Sequence, residues 1–391
     1  MLSKSIILLS LAALTAAAPQ RNGGGNQKTA QEQAADIPGG ISEATDGSVI
    51  MDTTVNVNGL DIRFKISGPA DQFTSMSGVP GAAGVTARAI SPGSFANSTI
   101  NGTTDGITNG TTNGANNGTA ETNGTATVAA TMGTLGLNVL LHGDGGQSFF
   151  DFPNQGVRAN LAGVAVLAPD ENLFWGGGQG LDRTNGVEHA QAVNDLVRTV
   201  LPQMMTFNES NVFFTGVSGG SLLLSGFFVP AHGADYVAAA SVVDGNNTTQ
   251  AAADATTGKE GGFLLNCGGM PPQVELQNAA ALGSGMRVHW QSTQQELDLL
   301  QGQDAIPGAV KAYEQIATDA GLSEAEVNAL QTVDNSPNGG HCEFDEQDFV
   351  SGVQLMADSY MDVMQEGGSG MVNGIGNVKS GVVGNEALQF A

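Results

Sequence analysis

The sequence predicts an α/β protein, a mostly parallel sheet covered by helices on both faces. Three observations carry that expectation. Short apolar runs without polar alternation recur along the chain: LNVLLHG (137–143), LAGVAVLAPD (161–170), NVFFTG (211–216), YVAAASVVDG (236–245) and MRVHW (286–290). Strands buried on both faces read this way. Between them lie longer segments, GVEHAQAVNDLVRTVLPQMM (186–205), SLLLSGFFVPAH (221–232), AIPGAVKAYEQIATDAGL (305–322) and DEQDFVSGVQLMADSYMDVM (345–364), read as helices. In the first of these Val187, Ala190, Val193, Leu196, Val197 and Val200 share one face at helical spacing. Such alternation of strand and helix signals crossover connections and hence a parallel sheet. Finally, 391 residues that are 40% hydrophobic suffice for one sizeable core.

Taken in chain order, residues 1–18 read as a signal peptide. Lys4 supplies the positive start, Ile6 to Leu14 a short apolar stretch, and Thr15 to Ala18 a small-residue cleavage zone. That stretch is too short to span a bilayer, and the C-terminal GNEALQFA lacks the tail of a lipid-anchor signal. The mature chain is therefore expected outside the cell, with no membrane anchor. Residues 19–45 are polar and small and are expected to be disordered. One domain, 46–391, follows. It opens with two strands around Asn58-Gly59, where VIMDTTVNVNGLDIRFKISG alternates apolar and polar residues. A Thr/Asn/Gly tract interrupts the domain at 71–130 and reads as a flexible insertion. It holds N-glycosylation sequons at Asn97, Asn101, Asn109, Asn117 and Asn123, with others at Asn208, Asn246 and Asn247. Their crowding suits a secreted eukaryotic glycoprotein.

Charge excludes some partners. Against 38 Asp+Glu stand 13 Lys+Arg, a net charge of -25. A nucleic-acid footprint needs clustered cations, and none exists in the sequence. No cofactor motif and no metal-ligand set is evident.

The chemistry concentrates at GVSGG (216–220). About one residue in seven is glycine, so a chance GxSxG is expected roughly 0.5 times in such a chain and the bare motif is weak. Its context adds weight, because a strand precedes it and a helix follows. That is the setting of a nucleophile elbow, in which Ser218 stands on a strained turn made possible by Gly216 and Gly220. A serine needs a base, and the order expected on this scaffold is Ser, acid, His. Of five histidines, His341 lies downstream in the glycine-rich loop DNSPNGGHCEF and is the candidate base. His289, inside a strand, reads as a core residue. The acid is expected after the preceding strand. Glu296 leads, with Asp298 and Asp244 as alternatives. The oxyanion donors are expected from the N–H groups of Asp144, in the loop HGDGG, and Gly219, with His142 shaping that loop. Two cysteines in a secreted chain, Cys267 and Cys342, most simply form one disulfide.

In this order, LNVLLHGDGG, LAPDENLFWGGG, NVFFTGVSGGS and NGGHC resemble secreted α/β-hydrolases of the polyhydroxybutyrate-depolymerase and feruloyl/acetylxylan-esterase type. The likeness covers 137–365. It implies an α/β-hydrolase fold and a serine esterase, with no cofactor, acting on polysaccharide acyl esters of the plant cell wall or on polyesters. Val217 stands where the tannase-like members carry a cysteine, and QSTQQELD departs from the usual acid motif. Two alternatives follow from those departures and from the shared fold. One is a non-catalytic extracellular glycoprotein, the other a serine peptidase.

Overall fold

The computed structural model describes residues 28–44, 47–74, 133–152, 157, 160–238, 259–365, 368–373 and 388–391. The signal peptide, the segment 75–132 with its five sequons, and Asp244, Asn246 and Asn247 lie outside the described residues.

Nine strands form one sheet: β1 (Gly40–Glu43), β2 (Val49–Val57), β3 (Leu60–Gly68), β4 (Gly136–Leu141), β5 (Leu161–Val166), β6 (Val212–Val217), β7 (Gly262–Asn266), β8 (Arg287–Gln291) and β9 (Gln331–Asp334). Their spatial order is β1-β2-β3-β5-β4-β6-β7-β8-β9. The six strands from β5 to β9 across the sheet run parallel, and β3 runs against them. From β2 onward this is the α/β-hydrolase arrangement. Asn58 and Gly59 close the β2–β3 hairpin with Val57 opposite Leu60. Both turn residues take positive φ, 53° and 90°, as a two-residue primed turn requires.

Alternate residues of each central strand face two separate cores. Leu137, Val139 and Leu141 of β4, with Phe214 of β6, pack under the helices that follow β5, β6 and β8. Leu140 and Phe213 point the other way, beneath the helices at 147–151 and 349–364. Burial on both faces explains why the strand runs lack alternation.

Several expectations need correction. Residues 28–44 are ordered: a helix at Ala30–Ala34 carries a Thr29/Glu32 capping box, and β1 extends the sheet. The reason is Arg63 on β3, which is buried, binds Asp52 at both carboxylate oxygens, and donates to the carbonyls of Gln33, Ala34 and Asp36. One cation thus organises a segment whose composition alone could not fold it. The expected strand at 236–245 does not begin where predicted. Tyr236 follows a 3-10 turn and donates its hydroxyl to Asn194, and residues from 239 are outside the described set. The strand that pairs with β6 on that side is instead GFLLN, β7, a segment for which no element was expected. Strand β9 was also unforeseen. Val187 is 60% exposed, so the apolar face of helix Gly186–Asp195 begins at Ala190. Phe73, at the start of the expected insertion, bridges to Met205. Among the described residues no helix is long and apolar enough to cross a membrane.

Candidate active site

Strand β6 ends at Val217 and helix Gly219–Leu223 begins two residues later. Ser218 between them has φ 49° and ψ -112°, a strained backbone for a residue with a side chain. The neighbouring glycines permit it. A β-carbon at Gly220 would stand 2.2 Å from the Leu141 carbonyl oxygen, and one at Gly216 would meet Ser221 at 2.7 Å. The turn is tied on both sides: Ser218 N–H and Ser221 Oγ donate to the Asn266 carbonyl of β7, and Gly220 N–H donates to His142 O.

The structure brings three of the predicted residues into one hydrogen-bond chain. Ser218 Oγ lies 2.9 Å from His341 Nε2, and His341 Nδ1 is hydrogen-bonded to Glu296 Oε1. With Nδ1 as the donor to the carboxylate, Nε2 is left to accept from the serine hydroxyl. Glu296 has no exposed side-chain surface, whereas His341 is 19% exposed. Glu296 is further held by Leu297 N–H at Oε1 and by Ser292 Oγ at Oε2. Asp298 opens a 3-10 turn two residues on, and the Nδ1 position is occupied by Glu296.

The loop QSTQQE does more than carry the acid. Gln294 and Gln295 donate backbone N–H to Pro337 O and Gly339 O, and their side chains bind Ser336 O and Asn338. Thr293 Oγ1 reaches Gly340 O. The segment QSTQQE is therefore the frame on which the His341 loop is fastened. Cys267 and Cys342 are joined in a disulfide, with Cα atoms 5.1 Å apart. Cys267 directly follows β7, so the bond ties the residue after His341 to the sheet. Their sulfurs and a His341 nitrogen form the trio of metal-ligand type found within 4.8 Å among the described residues, but the sulfurs are bonded to each other.

Asp144 and Gly219 adjoin. A β-carbon at Gly219 would stand 2.0 Å from Asp144 Oδ1, so only glycine fits there. Neither backbone N–H of this pair meets a protein acceptor among the described residues. Next to them His142 is fully buried. Its Nε2 accepts from Ala168 N–H at 2.9 Å, and its Nδ1 contacts Gly143 O at 2.6 Å. Both nitrogens are thus spent on shaping the loop. Sequence reasoning missed two residues here, Arg183 and Trp175. Arg183 forms a bidentate pair with Asp144, and the Trp175 ring packs on His142 with centroids 5.3 Å apart. A cavity of about 340 Å³, lined by Asp61, Arg63, Asp170 and Glu171 among others, contains none of the Ser218, His341 or Glu296 side chains.

Burial pushes His142 down to about 4, and His289 in β8 likewise. His289 contacts Thr332 Oγ1 and Gln291 Oε1, as a satisfied core histidine does. Each binds fewer protons folded than unfolded between about 4 and the ordinary 6.5, so stability rises with pH across that window. The contribution is complete above 6.5 and is lost as pH falls to about 4, on the order of 3 kcal/mol per histidine. The melting temperature of the wild type is expected to drop over this range. His142→Gln should show a shallower drop in the same thermal scans, and equal slopes would show that His142 does not titrate there.

No family's sequence profile matches the chain, and no curated protein matches it in sequence. Among solved structures, it is similar to a predicted CIB-like hydrolase from Thermoplasma acidophilum, at 9% identity over 80% of this chain and 98% of that one, with a TM-score of 0.34. It is also similar to a cold-adapted esterase from an Arctic intertidal metagenomic library, at 11% identity over 83% and 99%, with a TM-score of 0.37. Zea mays acyl-protein thioesterase 2 matches at 15% identity over 54% and 88%, with a TM-score of 0.30. Likenesses of this strength bear no weight on activity.

Proposed function

We propose that the chain is a serine hydrolase of carboxylic esters. The observation that carries the reading is the unbroken hydrogen-bond chain from Ser218 Oγ through His341 to Glu296, built on an elbow whose serine has positive φ. In the first half-reaction Ser218 Oγ attacks the ester carbonyl while its proton passes to His341 Nε2. The imidazolium so formed is stabilised by the Glu296 carboxylate. The tetrahedral oxyanion is held by the N–H groups of Asp144 and Gly219. It collapses as His341 returns the proton to the departing alcohol, leaving an acyl-serine. Water then repeats the sequence, with its proton taken by His341 and delivered back to Ser218 as the acid leaves.

The substrate class we assign is acyl esters of plant polysaccharides or polyesters, supported by the motif resemblance and by an elbow that leaves Ser218 and His341 partly exposed. The protein is further read as exported and N-glycosylated, supported by the N-terminal leader pattern and the clustered sequons. The test uses protein recovered from the medium of a eukaryotic host. It should hydrolyse p-nitrophenyl butyrate, take up one fluorophosphonate per chain at Ser218, and lose mass on N-glycosidase treatment. A chain that neither turns over the ester nor accepts the label is not an esterase, and retention inside the cell would dispose of the export reading.

A further inference from the structure

One of the two proposed oxyanion donors, Asp144, carries an anionic side chain. Its carboxylate lies against Gly219, the residue that supplies the other donor: a β-carbon at Gly219 would be 2.0 Å from Oδ1 and 3.0 Å from Oδ2. A bare carboxylate in that position would oppose the negative charge that develops on the substrate oxygen, and burial would strengthen the opposition. The counter-charge is Arg183. Its Nη1 and Nη2 donate to Asp144 Oδ1 and Oδ2 at 2.8 and 2.7 Å. The pair is secluded, with side-chain exposures of 1% for Arg183 and 16% for Asp144. Paired two-pronged bonding of this kind fixes direction as well as charge. Nη1 also donates to the Trp175 carbonyl at 2.9 Å, and the Trp175 ring rests on His142, so the guanidinium is anchored in the wall that shapes the loop.

The loop itself is close to the nucleophile. A β-carbon at Gly143 would stand 3.5 Å from Ser218 Cβ. Displacing Asp144 therefore displaces a donor beside the reacting atoms. Arg183 touches none of Ser218, His341 and Glu296 by hydrogen bond, so any part it plays runs through Asp144.

We propose that Arg183 is a positioning residue of the oxyanion site, neutralising the Asp144 carboxylate beside the developing charge and holding the Asp144 backbone in place. The inference rests on Ser218 being the nucleophile. Arg183→Met should lower kcat for p-nitrophenyl butyrate by about 100-fold, the scale of losing one oxyanion donor, with KM changed less than about threefold. Affinity for butylboronic acid, which forms an anionic tetrahedral adduct on the serine, should fall by a similar factor. Arg183→Lys keeps the charge without the fork and should be intermediate. The deciding variant is Asp144→Asn with Arg183→Met. Removing both charges should restore kcat and boronate affinity about tenfold over Arg183→Met alone. A residue that serves stability alone would let the double variant regain melting temperature, since a lone secluded carboxylate is itself destabilising, but not kcat or boronate affinity per folded molecule. Should Arg183→Met fail to fold, as its melting curve would show, the same comparison runs between Arg183→Lys and Asp144→Asn with Arg183→Lys. There, replacing the Asp144 carboxylate by a neutral Asn beside the misfitted Lys should raise boronate affinity. A wild type without esterase activity or fluorophosphonate labelling overturns the reading of Ser218, and this inference with it. An active wild type whose Arg183 variants match it, or whose double variant shows no recovery, overturns this inference alone.

Discussion

Ser218→Ala and His341→Ala are each expected to lower kcat for a simple ester by about 10⁶-fold, and Glu296→Gln by about 10⁴-fold. The grading follows from the geometry. Ser218 and His341 exchange the proton and form the bond, so loss of either removes the covalent route altogether. Glu296 acts on His341 from the far side. It fixes which imidazole nitrogen carries the hydrogen, and it stabilises the imidazolium. Glutamine keeps the shape but offers the ring no anion, and its amide can donate to Nδ1, inverting the tautomer so that Nε2 no longer accepts from Ser218. Asp298→Asn, two residues away, is expected to stay within about threefold of wild type, because that side chain is not the partner of His341 Nδ1. Steady-state kinetics on p-nitrophenyl butyrate check all four. Were Asp298→Asn the more damaging carboxylate change, the acid would have to be reassigned.

What was legible in the sequence was what is local. The GVSGG turn needs small residues at positions two before and two after the serine, and both requirements are met within five residues. The hairpin turn at Asn58-Gly59 is equally local. The His341 loop was legible from its glycines and its place before the last helices. Glu296 could not be separated from Asp298 or Asp244 by sequence, because the choice depends on how QSTQQE doubles back. That path is set by the hydrogen bonds of Gln294 and Gln295 to residues more than 40 positions away. Arg183 was invisible for the same reason, since it meets Asp144 across 39 residues and nothing near GLDRTNG announces the pairing. Arg63 hid the order of residues 28–44, because five hydrogen bonds from one guanidinium outweigh what polar composition suggests. Strand β7 escaped because three apolar residues, Phe263 to Leu265, between glycines and Asn266 carry no periodicity to measure.

Replacing both cysteines by alanine should cost about 4 kcal/mol of stability, the chain-entropy value for a closed loop of this size, and lower the melting temperature by roughly 8–16 °C. The loop spans 75 positions from Cys267 to Cys342, and both residues are fully buried. Alanine is preferable to serine here, since two unpartnered buried hydroxyls would add their own penalty. Both positions have positive φ, 45° and 61°, a strain that cysteine and alanine share and that cancels in the comparison. The effect on turnover at 25 °C should be much smaller than that of the triad changes. His341 is adjacent to Cys342, but its loop is also fastened by Thr293, Gln294, Gln295 and the Glu343 contact to Gly340 N–H. Those bonds survive the substitution. Thermal unfolding and kcat measured on the same preparation separate the two roles. A large loss of kcat with an unchanged melting curve would mean that the disulfide acts on the position of His341, and the glutamine frame would then be insufficient to hold the base.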